Sequence, residues 1–296
     1  MIKFRTKSDK VFDFFNVLFA LFVLFVTFYP LYWVLIASIS DPTAVNTGSV
    51  TLYPVGLSLG GYQEIFGFDK LWMGYRNTIF YVILGTAISV SLTLTGGYAL
   101  SRKDLVGRNF VMGMMTITMF FGGGLIPTYL VVCGLGMENT IWAMVLPSAV
   151  SVYNTIVAKT FFQGLPHELY EAAAIDGCGN FQYFMRIAVR LSGPLVAVMV
   201  LFSAVGQWNS YMPALIYLRD QNLQPLQVVL RDILVEQQAM TNFITPNSMA
   251  ERLETEKNVE LIKYATIVVS TLPILVLYPF LQKYFVKGIM VGSLKG

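Results

Sequence analysis

Charge is scarce in this chain. Only 12% of its 296 residues are Asp, Glu, Lys or Arg, against about 25% in an ordinary soluble domain. Histidine is scarcer still. His167 is the only one, which excludes a Ser-His-Asp or Cys-His arrangement on another imidazole and any histidine-built metal site. His167 itself reads as a solvated residue at a helix start. A phosphate-cradling GxxxxGK[ST] loop is also missing, because GGGLIP at 122–127 carries glycines without the lysine. The net charge of +3 is too small to suggest nucleic acid as a partner. No residue is assigned a catalytic role and none a metal.

What fills the sequence is apolar: 55% of it is hydrophobic, and the mean hydropathy is +0.62. Crossing a hydrocarbon core of about 30 Å takes roughly 20 apolar residues in a helix. Six stretches qualify, at 11–38, 77–100, 110–135, 140–163, 193–218 and 260–285. The expected fold is therefore all-α, one transmembrane domain over 1–296 with six helices. The first run is much longer than a signal-peptide core and reads as a retained helix. Lys and Arg in the short loops set the orientation. Lys3, Arg5, Lys7 and Lys10 precede the first span, Arg102, Lys103 and Arg108 follow the second, and Arg186 and Arg190 lie in the 164–192 loop. Lys283, Lys287 and Lys295 sit at the C-terminal end, while CGLGMEN has no basic residue. Both termini are thus expected in the cytoplasm, with 219–259 as an external cap. That topology puts Cys133 and Cys178 toward opposite membrane faces, so no disulfide framework is implied.

No Asp, Glu, Lys, Arg or His falls near the middle of a span; Asp13 and Lys159 sit near ends. This argues against a proton-coupled carrier, which needs a titrating group in the membrane. Sodium coupling through carbonyls at broken helices stays open. Pro30, Pro127 after Gly122-Gly123-Gly124, Pro147, Pro213, and Pro273 with Pro279 are expected to interrupt spans. Either simple kinks or the walls of an aqueous cavity would account for them.

The 164–192 loop holds HELYEAAAIDGCGN. Pro166 suits the first turn of a helix, Glu168 and Glu171 sit near its positive end, three alanines favour the helical state, and Gly177 ends it. Leu169, Ala172, Ala173 and Asp176 fall on one face at i, i+3, i+4, i+7. Such a short, small-faced helix either docks into a partner's groove or lies along the membrane surface.

The stretch ELYEAAAIDGCGNFQYFMRIAVRLSGP resembles the EAA loop of bacterial ABC-importer permeases, with Glu171, Ala172, Ala173, Gly177 and Ile187 in register. It departs at Val189 and Arg190, where leucine and proline are usual; Pro194 comes four places later. GGLIPTYLVVCGLGMENTIWAMVLPSAVSVYNTIVAKTFFQGLP, QWNSYMPALIYL and the terminal KGIMVGSLKG are similar to carbohydrate-uptake permeases. The likeness is to the maltose-permease second-subunit type, in a subgroup tied to complex oligosaccharides.

The resemblance implies a multi-pass subunit in the cytoplasmic membrane of a bacterium that pairs with a second homologous permease. Two ATP-binding subunits would hold ATP and Mg, this chain binding no cofactor, and an extracytoplasmic solute-binding protein would deliver the sugar. It implies a coupling helix between spans four and five, whose ATPase-docking residues are Leu169, Glu171, Ala172, Ala173, Asp176 and Gly177. It further implies a tail (Gly292, Ser293, Lys295) that contacts the ATPase, for which a frayed terminus is the plainer reading. Gln207, Trp208, Asn209 and Tyr211 unite amides and rings suited to sugar, or else to hydrogen bonds between helices. In the maltose system only one permease touches sugar, and this chain resembles the other. A permease for a non-sugar solute, or a sodium-coupled carrier, are the alternatives. The sequence names neither the sugar nor its length.

Overall fold

The computed structural model of the protein describes residues 7–243 and 259–276, and every regular element among them is helical. The helices are α1 (Lys7–Ser38), α2 (Pro42–Asn46), α3 (Gly60–Phe66), α4 (Asp69–Ser101), α5 (Arg108–Phe120), α6 (Leu125–Gly134), α7 (Ile141–Val145) and α8 (Val152–Gln163). They continue as α9 (His167–Ile175), α10 (Asn180–Tyr183), a π-helical turn Phe184–Ala188, α11 (Val189–Leu191), α12 (Gly193–Trp208), α13 (Met212–Tyr217) and α14 (Leu226–Phe243). The last is α15 (Val259–Val276). Two compact units form, one from the described parts of Met1–Phe68 and Asp232–Thr271, the other from those of Asp69–Arg231 and Leu272–Gly296.

In the first unit α1 leaves its apolar side chains exposed around most of its circumference, Phe12, Phe19, Phe22 and Phe25 among them. A helix apolar all round is one that spans a membrane or is covered by other helices. Its C-terminal turns pack Ile36 and Ala37 with Val45 and Val50, and the Trp33 indole N–H donates to the Val50 carbonyl at 2.9 Å. Trp33 also meets the Tyr264 ring of α15 edge to face at 5.2 Å. At Gly61 of α3 an added Cβ would lie 2.5 Å from the Leu261 carbonyl oxygen, so only glycine lets α3 approach α15 this closely.

The second unit is organised by α4. Gly74, Thr78, Tyr81, Gly85, Ser89, Thr93 and Gly97 recur every three or four residues and are buried. They form a stripe of mostly small residues that brings neighbouring backbones near, which in lipid is what holds helices together. A Cβ at Gly85 would sit 2.7 Å from the Gln207 amide nitrogen of α12, and one at Gly97 2.6 Å from the Ala158 Cβ of α8. At its other end α4 carries the connection to α14. The Asn77 amide donates to the carbonyls of Asn222 (2.6 Å) and Gln224 (3.0 Å). The Tyr81 hydroxyl donates to that of Leu223 (2.7 Å) and the Leu226 N–H donates to Thr78 Oγ1 (2.8 Å).

Three described helices are long and apolar enough to cross a membrane: Ser8–Ser38, Asp69–Ser101 and Val259–Val276. The other expected spans are not continuous. The 110–135 stretch turns by 119° between α5 and α6, because Gly122–Gly124 interrupts the hydrogen-bond ladder and Gly124 adopts a φ of +83°. The 140–163 stretch is open between α7 and α8, around Pro147, and 193–218 opens between α12 and α13, just before Pro213. By contrast α1 runs through Pro30 and α15 through Pro273, correcting the expectation of a break at either; Pro279 lies outside the described residues. The expected second span starts earlier than 77, at Asp69, since Asp69 and Lys70 begin a turn still within one helix.

The α4–α8 crossing yields a paired prediction. Gly97→Ala forces the Ala158 region to shift and is expected to cost about 1–3 kcal/mol of stability, read as a lowered thermal midpoint. Gly96→Ala, whose Cβ would meet only Thr155 Cγ2 at 3.7 Å, is expected to leave it unchanged.

Candidate functional site

The Glu-Ala-Ala stretch folds as α9, nine residues long. Pro166, expected in its first turn, stands just before it instead: ψ of 130° keeps that residue extended, and its carbonyl accepts the Leu169 N–H. At the other end the Cys178 N–H bonds the Ala173 carbonyl (2.9 Å) and the Gly177 N–H bonds that of Ala174 (3.0 Å). This paired closure requires a left-handed residue, and Gly177 supplies it with φ of +75°.

Two side chains turn α9 toward its own chain. Ala173 is 6% exposed and joins a cluster with Phe162, Tyr183, Phe184, Ala188, Leu195 and Met199. Tyr170, one turn earlier, packs edge-on against the Tyr183 ring at 5.2 Å and donates its hydroxyl to Asn180 Oδ1 at 2.9 Å. Over the Tyr170 face lies the Arg102 guanidinium, 3.8 Å from the ring centroid. The same guanidinium grips Asp104 with both prongs, Nε to Oδ1 at 3.0 Å and Nη2 to Oδ2 at 3.1 Å. The hydrogen bond from Arg102 holds the Asp104 carboxyl below its ordinary range. Tyr98, on the last turns of α4, fills the space behind, 4.9 Å from Phe184 and 5.6 Å from Phe162. A cavity of about 420 Å³ opens beside this seat, lined by Ser101, Lys103, Gln163, Leu165 and His167 among others.

The opposite face is open. Glu168, Leu169, Glu171, Ala172, Ile175 and Asp176 are all exposed, Ile175 at 86%. Glu171 makes an i,i+4 contact with His167 at 3.1 Å between well-exposed side chains, a pairing that contributes little. Ala173 is thus corrected from a surface residue to a supporting one. It lies at the edge of the face expected from periodicity, and the inward direction is centred between Tyr170 and Ala173. Residues that sequence reasoning missed are Arg102, Asp104, Tyr98, Tyr170 and Asn180. For Tyr98 and Tyr170 the sequence offers only the tyrosines near the loop as a signal, and Arg102 reads there as an orientation charge alone.

Beyond α9 the chain re-enters through α10, the π-turn and α11, then bends by 83° into α12. The bend falls at Ser192, which is fully buried and donates its hydroxyl to the Ala188 carbonyl at 2.7 Å. Pro194 lies in the first turn of α12. A proline at 190 is therefore not needed for the turn; Arg190 continues α11 and the break comes two residues later.

No protein-family model matches the chain. Protein LplC of Bacillus subtilis (strain 168) is 39% identical over 293 residues, 98% of this chain and 97% of that protein. The polygalacturonan/rhamnogalacturonan transport system permease protein YtcP of the same strain is 38% identical over 288 residues, 97% and 99% of the two chains. A crystal structure of a bacterial ABC transporter involved in the import of the acidic polysaccharide alginate superposes with a TM-score of 0.83. It is 30% identical and spans 95% of this chain and 99% of that one. The chain belongs to the ABC-importer permeases of the carbohydrate-uptake type.

Within this permease the four residues expected to line a sugar path divide. Gln207 and Trp208 are buried. The Gln207 amide nitrogen donates to Ser148 Oγ at 3.2 Å, bridging α12 to the opening before α8, while its carbonyl oxygen has no hydrogen-bond partner among the described residues. Trp208 stands 6.3 Å from the Tyr75 ring. Asn209 is exposed and donates to the Val205 carbonyl of its own helix at 3.0 Å, and Tyr211 lies exposed in the α12–α13 opening. The interhelical hydrogen bond thus describes Gln207 well, and the four do not make one continuous face. Gly292, Ser293 and Lys295 lie outside the described residues.

The two faces of α9 make a testable contrast. Ala173→Phe overpacks the cluster beneath the helix and is expected to lower the thermal midpoint of the purified permease, by about 1–3 kcal/mol in stability. Ala172→Phe, on the open face, is expected to leave that midpoint unchanged while weakening retention of any protein held there.

Proposed function

We propose that this permease forms half of the translocation pathway of an ATP-driven importer in the cytoplasmic membrane of a bacterium, carrying oligosaccharides or fragments of polysaccharides inward. In this reading 1–296 is one transmembrane domain of six spans with both termini in the cytoplasm. It pairs with a second homologous permease and rests on two ATP-binding subunits, which bind ATP with Mg and carry out the hydrolysis. An extracytoplasmic solute-binding protein delivers the sugar, and 219–259 lies on that outer side. α9 is the coupling helix: Glu171, Ala172, Asp176 and Leu169 meet the ATPase, Gly177 ends the helix, and Ala173 sets its height. The tail with Gly292, Ser293 and Lys295 adds a second ATPase contact.

The observation that carries this reading is the open face of α9, an exposed Ile175 ringed by Glu168, Glu171 and Asp176. The opposite side of α9 is already packed on its own chain through Tyr170 and Ala173, so the face bearing Ile175 and Ala172 is the one a partner could meet. Three carboxylates disfavour the inner membrane surface, whose own charge is negative, as the place where this face rests. A protein groove with an apolar floor and a basic rim suits both features. The sugar class is supported by the polygalacturonan/rhamnogalacturonan permease YtcP and by the alginate importer, both concerned with polysaccharides. Of the four residues named for the sugar path, we assign Asn209 and Tyr211, exposed at the α12–α13 opening, to that path, with the buried Gln207 and Trp208 holding the helices behind them.

A photo-crosslinking residue in place of Ile175, within the complex purified from membranes, is expected to join this chain to an ATP-binding subunit. Labelling of lipid alone would contradict the assignment.

A further inference from the structure

A helix that receives a push must be held by more than its ends. α9 is joined to the rest of the chain by Leu165-Pro166 on one side and by Gly177-Cys178-Gly179 on the other. No added Cβ at Gly177 or Gly179 would touch anything within 4 Å. The hydrogen bonds at these links stay local, from Leu165 to Phe162 and from Gly177 and Cys178 back to α9, and none of them reaches α4. The Ala173 contact is apolar and small, so it sets the distance of α9 from the cluster and not its direction. Directional contacts converge on Tyr170: a hydrogen bond to Asn180, an edge contact with Tyr183 and the guanidinium of Arg102 over its face.

Arg102 is placed to matter because its backbone belongs to the end of α4. It follows Ser101 directly, and its N–H bonds the Ala99 carbonyl at 3.2 Å. From there α4 runs back through the glycine stripe against α8 and α12. Asp104 fixes the plane of the guanidinium by taking both prongs, which leaves the flat face for Tyr170. Lysine has one compact ammonium and cannot do both.

We infer that Arg102 is a positioning residue for transport: clamped by Asp104 and laid over Tyr170, it makes α9 and the cytoplasmic end of α4 one body. A push on α9 then reaches α4 directly instead of dissipating in the loop. The inference rests on the reading of α9 as the coupling helix.

The test uses the complete importer reconstituted in liposomes, measuring sugar taken up per ATP hydrolysed. Arg102→Ala is expected to lower this ratio about fivefold while ATP hydrolysis and assembly persist, and Arg102→Lys, which keeps the charge, is expected to lower it similarly. A purely structural role would instead reduce the assembled complex and its thermal midpoint with the ratio unchanged, and that result overturns the inference. Should Arg102→Ala fail to assemble, Arg102→Lys decides. As a second measurement, Arg102→Cys with Tyr170→Cys, in a Cys133→Ser, Cys178→Ser background, is treated with a short thiol crosslinker. Joining the two positions is expected to restore the ratio; loss of transport on joining means the joint must open and overturns the inference. Crosslinking from Ile175 to the ATPase separates the two levels: if it succeeds while Arg102 variants keep the ratio, only the role of Arg102 fails.

Discussion

The organising constraint is the seat beneath α9. A helix of nine residues ending at a left-handed glycine has no rigidity to lend unless its inner face is fixed. Ala173 sets how close it lies to the aromatic cluster, and Tyr170 sets its angle. With that face occupied by its own chain, the opposite face, with Glu171, Ala172 and Ile175, is the only one left to a partner. The small side chain in the Glu-Ala-Ala pattern therefore serves two ends on two faces: close approach inward at Ala173, and a low surface outward at Ala172.

The same economy of side chain operates along α4. In lipid, apolar contact gives helices little preference for one another over hydrocarbon, so close backbone approach and buried polar contacts carry the packing. Gly85 admits the Gln207 amide, Gly97 admits α8, and Ser203 donates to Ser89 at 3.2 Å. The openings at 121–124, 146–151 and 209–211 free backbone groups that only protein or water could satisfy at membrane depth. Gln207, bonded to Ser148 through its amide nitrogen and with no partner for its amide oxygen among the described residues, stands at the edge of such an opening.

Much of this was legible in the sequence. Length of apolar run located α1 and α4, and helix-end chemistry located α9 down to the stop at Gly177. The breaks were signalled by Gly122–Gly124, Pro147 and Pro213, but Pro30 carried the same signal and α1 continues through it; a proline states that a bond is lost, not whether neighbours hold the helix together. The direction of Ala173 was unreadable because a 100° arc of α9 contains Leu169, Ala172 and Asp176 as well, and only the position of Tyr183 and Phe184 decides which edge turns in. Arg102 and Tyr170 are 68 residues apart in the chain, so no local pattern could join them. The stripe from Gly74 to Gly97, by contrast, has the spacing of a packed face and could have been read from the chain.

The central claim is that α9 and the end of α4 move together when the importer turns over. Spin labels at Ile175 and Lys103, in the reconstituted complex, report the distance between them with and without a non-hydrolysable ATP analogue. The account predicts one narrow distance, the same in both states, while labels between Ile175 and the partner permease change theirs. A nucleotide-dependent shift in the Ile175–Lys103 distance would contradict it.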